Sequence, residues 1–218
     1  MLALALAGAA TASSPKLPSD APACAAPETA PIFLSPMGEP FRAAPGQPYP
    51  SAVWFAAADR NQDGMLSRDE MVADAMRFFR QLDTNHDGRL TPDEVGAYES
   101  VVAPETSLFA ARPDGFYETR RRRHEADAVG RSSEYGGAMG AGRYAWLNIP
   151  EPVAAADQDI DRVVTGDEFA AAADRAFTIF DHGGRGGIKL SEFPRTRLQI
   201  AIEGPCRPAK VQRGASRN

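Results

Sequence analysis

Histidine and cysteine are scarce in this sequence. Three histidines (His86, His124 and His182) and two cysteines (Cys24 and Cys206) are all that its 218 residues contain. None of them stands at the spacing of a Cys/His zinc site, and neither a glycine-rich phosphate loop nor a nucleophile elbow occurs. The common catalytic frameworks are therefore excluded, and the chain reads as a non-enzyme. Positive charge is also short: 24 Lys and Arg against 29 Asp and Glu leave a net charge of −5. That balance argues against a nucleic-acid partner and suits a cation binder. Long apolar runs are absent too, so no transmembrane segment is expected. Glycine (19) and proline (18) are plentiful, which implies long irregular stretches beside any helical core.

The acids are not spread evenly. Two twelve-residue segments, DRNQDGMLSRDE at 59–70 and DTNHDGRLTPDE at 83–94, repeat one pattern of oxygen donors. In the first, Asp59, Asn61, Asp63, Ser67 and Glu70 stand at positions 1, 3, 5, 9 and 12, with the Met65 carbonyl at position 7. In the second, Asp83, Asn85, Asp87, Thr91 and Glu94 take those places, with the Arg89 carbonyl between them. Calcium is a hard ion that takes six to eight oxygens at roughly 2.3–2.6 Å, and a tight loop offering alternate residues plus a bidentate glutamate supplies that number. Gly64 and Gly88 fall at position 6, where the turn needs a positive φ. Leu66 and Leu90 fill position 8, an apolar anchor to the core.

Between the loops, 71–82 has apolar residues at Met71, Ala75, Phe78, Phe79 and Leu82, with neither glycine nor proline. This is helical periodicity. The loops start 24 residues apart, which leaves twelve residues, about 18 Å of helix. An exit helix, a turn and a new entering helix cannot fit in that length. One helix must serve both loops, which then lie at its opposite ends. A short entering helix should begin near Ser51, after Pro50, with Val53, Trp54 and Phe55 as its apolar face.

The pattern returns in the second half. DQDIDRVVTGDE at 157–168 offers Asp157, Asp159, Asp161, Thr165 and Glu168 with the Val163 carbonyl, and Arg162 stands where glycine is expected. A bulky residue must then adopt the left-handed conformation. DHGGRGGIKLSE at 181–192 keeps Asp181, Gly186, Ile188 and Glu192, but Gly183 has no donor and Arg185 replaces an acid. This fourth loop should hold no ion. It again starts 24 residues after its predecessor, across a second shared helix at 169–180. Loops at opposite ends of one helix cannot pair with each other. Antiparallel packing of the two shared helices would pair second with third, through Leu90 and Val164, and first with fourth, through Leu66 and Ile188. Parallel packing would pair first with third and second with fourth. The antiparallel form is favoured, because matching apolar stripes then meet about a local two-fold axis.

These loops resemble those of the EF-hand superfamily. The resemblance implies an all-α fold of helix–loop–helix hands, with four loops in two halves (51–103 and 149–203), shared helices and a degenerate fourth loop. It implies binding of two to three calcium ions, as a sensor that engages an unidentified protein partner or as a buffer. A structurally calcified interaction module is the third possibility. The 24-residue spacing, with an apolar start at 1–12 that ends in the signal-like A-x-A pattern Ala10-Thr11-Ala12, is similar to the lanmodulin family of periplasmic lanthanide binders, which makes lanthanide handling the alternative. That family has proline at position 2 and acid at position 9; here those places hold Arg60, Thr84, Gln158 and Ser67, Thr91, Thr165.

The remaining stretches are read from composition. Residues 1–12 are apolar and end in an A-x-A pattern, so a signal peptide and a periplasmic or secreted location are expected. Residues 13–50 are rich in Pro and Ala and should form an extended tail pinned through Phe33 and Phe41. Residues 104–148 form an Arg/Gly-rich linker in which Arg120 to Arg123 make a solvated face, and Tyr144, Trp146, Leu147 and Ile149 dock onto the core. A short tail, 204–218, ends the chain. In an oxidising compartment Cys24 and Cys206 are expected to pair.

Overall fold

A computed structural model of the protein describes residues 17–19, 21–107 and 138–208. The expected signal peptide and the Arg120 to Arg123 run lie outside these residues. In chain order the described elements are β1 (Ile32–Leu34), β2 (Pro40–Arg42), α1 (Ser51–Ala58), β3 (Leu66–Ser67), α2 (Arg68–Leu82), β4 (Arg89–Leu90) and α3 (Pro92–Ala97). Then come β5 (Val164–Thr165), α4 (Gly166–Phe180), β6 (Gly187–Ile188) and α5 (Arg197–Glu203).

The two fifteen-residue helices α2 and α4 are the shared helices, and they pack antiparallel. Arg68, at the start of α2, pairs with Asp174 and lies over the Phe177 ring at 4.9 Å, near the end of α4. Phe79, near the end of α2, meets Phe169, near the start of α4, with ring centroids 5.5 Å apart. The loops therefore pair across the halves. β3 pairs antiparallel with β6, Leu66 opposite Ile188, and β4 with β5, Leu90 opposite Val164. All four of these side chains are buried. Helix length alone excluded pairing within a half, and the observed pairing is the favoured antiparallel one.

The all-α expectation is overturned. The described residues hold three two-stranded antiparallel ladders and five α-helices and are only 43% helical. Proline accounts for two of the shortened helices. Pro150 and Pro152 donate no backbone N–H, and the chain before the third loop makes a single 3₁₀ turn, Ala154–Ala156, where an entering helix was expected. Pro194 likewise stops the fourth hand after a 3₁₀ turn, Leu190–Glu192. On α1, Trp54 and Phe55 are buried but Val53 is 60% exposed, so Val53 does not belong to the core face assigned to it.

The stretch expected as an extended tail is built into the core. Phe33, Leu34, Met37 and Tyr49 are buried, and Phe41 is half-buried. Phe33 lies 4.7 Å from Trp146 between ring centroids, and Trp146 stacks on Phe193 at 4.2 Å. Gly38, at φ +90°, brings its carbonyl to the Tyr98 hydroxyl, which donates at 2.8 Å; a Cβ there would stand 2.5 Å from the same oxygen. Cys24 and Cys206 form a disulfide, with Cα atoms 4.9 Å apart. Beside it Cys24 N donates to the Arg207 carbonyl and Arg207 N to that of Pro22, both at 2.9 Å.

Candidate metal centres

Each of the first three loops is closed by its position 12 glutamate, and the same glutamate caps the helix that follows. Ser67, Thr91 and Thr165 are the N-cap residues of α2, α3 and α4, with Glu70, Glu94 and Glu168 three residues on. One carboxylate oxygen of Glu70 accepts from Ser67 N at 2.9 Å and Ser67 Oγ at 2.7 Å. The other reaches across the loop to Arg60 N at 3.0 Å and Asn61 N at 3.2 Å. Glu94 accepts from Thr91 N and Oγ1, both at 2.9 Å, and from Thr84 N at 2.9 Å. Glu168 accepts from Thr165 N at 2.8 Å, Thr165 Oγ1 at 2.7 Å and Gln158 N at 2.9 Å.

These bonds keep the carboxylates charged. The Thr91 N–H is foremost in holding Glu94 down at about 2, with burial working against it. The Thr165 and Gln158 N–H groups hold Glu168 at about 2. For Glu70 burial pushes upward, but the donors on Ser67, Asn61 and Arg60 outweigh it and the net shift is downward. Hydrogen bonds to the ionised form lower a carboxyl pKa, so all three groups are anionic at neutral pH.

At the other end of each loop the position 1 aspartate folds the chain around its own carboxylate. Asp59 accepts from Asp63 N at 3.2 Å and Gly64 N at 2.9 Å, and Asp83 from Asp87 N at 3.1 Å and Gly88 N at 2.9 Å. Asn61 and Asp63, like Asn85 and Asp87, are drawn together by amide-to-carboxylate bonds of 3.0 Å. Gly64 and Gly88 sit at φ +80° and +79°, as the turn required. Position 4 is left-handed as well, with Gln62, His86 and Ile160 at +58°, +60° and +64°, which the pattern of ligands did not announce. Met65 and Arg89 at position 7 directly precede the buried anchors Leu66 and Leu90.

The third loop shows the same frame with more charge. Arg162 takes φ +73°, the left-handed conformation expected of it. Asp157 accepts from Ile160 N at 2.7 Å and Arg162 N at 2.9 Å. Carboxylate oxygens of Asp157, Asp159 and Asp161 all lie within 4.8 Å of one another, and Val163 N donates to Asp161 at 2.8 Å. Like charges this close repel, and an oxygen-bound cation relieves that repulsion. The donors in all three loops are oxygens, the set a hard ion such as calcium requires.

The fourth loop departs where its residues do. Asp181 accepts from Arg185 N at 3.0 Å and Gly186 N at 2.9 Å, so the turn survives. Arg185, at position 5, points its guanidinium at Glu192, at position 12, with 2.8 Å between them.

Two features escaped the pattern of ligands. Ser67, Thr91 and Thr165 are helix caps as well as candidate calcium oxygens, since S-x-x-E and T-x-x-E before a helix are the signature of a capping box. The second is a buried polar chain under α2. The Trp54 indole donates to Asp74 at 2.9 Å, and Arg77 joins Asp74, at 2.7 Å, to Glu39, at 2.9 Å. An aspartate on the apolar side of a helix was its only trace in the sequence.

Residues 52–73 and 76–97 each match the sequence model of the EF hand family, two adjacent hits that cover the first and second loops. Comparison with curated proteins and with solved structures finds no match. Paired loops, oxygen donors and the two adjacent family matches together support a calcium-binding protein of the EF-hand superfamily.

Proposed function

We propose that the chain is an exported calcium buffer, or a structurally calcified module, that binds three ions at 59–70, 83–94 and 157–168. The ligands are Asp59, Asn61, Asp63, Ser67 and Glu70 with the Met65 carbonyl. In the second loop they are Asp83, Asn85, Asp87, Thr91 and Glu94 with the Arg89 carbonyl. Asp157, Asp159, Asp161, Thr165 and Glu168 with the Val163 carbonyl serve the third. The observation that carries this reading is the common closure of the three loops by a glutamate that reaches both the N-cap and the opposite strand of its loop. Export is supported by the Cys24–Cys206 disulfide, which suits an oxidising compartment.

A sensor has to expose an apolar surface when it binds its ion. Here the matching faces of α2 and α4 are buried against each other, and Phe33, Leu34, Met37 and Tyr49 of the N-terminal stretch fill the remaining space. The disulfide and the Arg77 pairs with Glu39 and Asp74 hold that stretch in place. This favours a buffer or structural role over a sensor. Titration calorimetry of the protein should count three calcium ions, and the triple variant E70Q/E94Q/E168Q should count none. Unchanged stoichiometry in the variant refutes the site assignment. A rise in hydrophobic-dye fluorescence on adding calcium refutes the buffer reading.

A further inference from the structure

The fourth loop keeps the shape of a loaded loop without the donors to hold calcium. Its positions 4 and 6, Gly184 and Gly186, sit at φ +61° and +77°, close to Gln62 at +58° and Gly64 at +80° in the first loop. Asp181 receives the same two backbone donors as Asp59, at matching distances. Glu192 accepts from Lys189 N at 2.9 Å, just as Glu70 accepts from Ser67 N at 2.9 Å.

One contact differs. In the first three loops the second oxygen of the position 12 glutamate crosses to the position 2 N–H. In the fourth that oxygen holds the Arg185 guanidinium at 2.8 Å. Arg185 is thus paired with the acid at position 12 and also lies within electrostatic reach of Asp181 at position 1. Arg185 passes directly beside Gly183, where a Cβ would lie 3.4 Å from both its Cγ and its Nε.

We propose that Arg185 is a resident cation of the fourth loop. It takes the place of calcium, and keeps the Leu66–Ile188 ladder formed so that the first loop has a standing partner whether or not metal is present. This rests on the reading of the first loop as a calcium site. The molecule then has two unlike ends. At one, the second and third loops each rely on bound calcium and on each other through Leu90 and Val164. At the other, the first loop binds alone beside a partner that is already ordered.

The test has two arms. In the calcium-free protein, amide exchange at Ile188 should be slow, and R185Q should speed it about two- to fivefold, the size expected of an exposed ion pair. In an E94Q/E168Q background, where the first loop is the remaining site, R185Q should weaken calcium binding by at most the same factor, because affinity falls only with the fraction of partner that loses its order. A G183D/R185D variant, with its acids restored, should bind one ion more than the parent. Unchanged exchange at Ile188 in R185Q overturns the proposal, as does a fourth ion bound by the unaltered protein. The exchange arm needs no calcium, so it still reads if the first loop binds none and the proposed function itself fails.

Discussion

Leu90→Ala tests whether the second and third loops form one unit. Leu90 is fully buried at position 8, between the Arg89 carbonyl and Thr91, and its backbone pairs with Val164 of the third loop. Truncation to alanine removes about three carbons from a packed site. At about 0.8 kcal/mol per methylene the transfer loss is roughly 2.4 kcal/mol, and the residual cavity brings it to about 3 kcal/mol, within the observed 2–5 range. In a protein of this size that should lower Tm by roughly 6–12 °C, readable by scanning calorimetry with and without calcium. The ion-binding consequence is more specific: L90A should weaken the second and third sites together and leave the first nearly unchanged. Leu66→Ala, buried to the same degree at the other end, should do the reverse. The reasoning fails if calorimetric titration of L90A shows loss at the second site alone. It fails equally if L90A and L66A give the same pattern.

Reduction of Cys24–Cys206 releases a loop with a sequence separation of 182, worth about 5 kcal/mol in the chain-entropy account. Thermal unfolding with and without a dithiol should show a large fall in Tm, and a change of less than a few degrees would show that the terminal segments hold without the bond. Glu94 and Glu168, held at about 2 against an ordinary 4.5, have folded-state pKa values below their unfolded ones. Their contribution is therefore complete above about pH 4.5 and is lost as pH falls towards 2. Urea unfolding of the calcium-free protein should show stability declining through that window, and a flat profile would contradict it. Asp74→Ala leaves the buried Trp54 N–H without its acceptor and removes one partner of Arg77. It should cost about 1–3 kcal/mol by urea unfolding, and a neutral result would mean that water replaces the carboxylate.

Much of this protein is written locally. A calcium loop is read one residue at a time, because each ligand position and each positive φ is dictated within twelve residues, and Asp59 or Glu94 needs no distant partner to be recognised. The twelve residues between loops carry a longer-range message, since a helix too short to fold back on itself obliges each loop to seek its partner in the other half. Tertiary structure decided the rest. It chose antiparallel over parallel packing of α2 and α4, because Phe79 can meet Phe169 and Arg68 can reach Asp174 only in that direction. It made the N-terminal stretch part of the core, since Phe33 and Tyr49 have no local periodicity and are buried by residues more than a hundred positions away, Trp146 and Thr196 among them. It also replaced two expected helices by 3₁₀ turns beside Pro150, Pro152 and Pro194. Local chemistry marks the candidate ligands in advance; burial and pairing between distant segments depend on free energies that exist only once the chain has closed on itself.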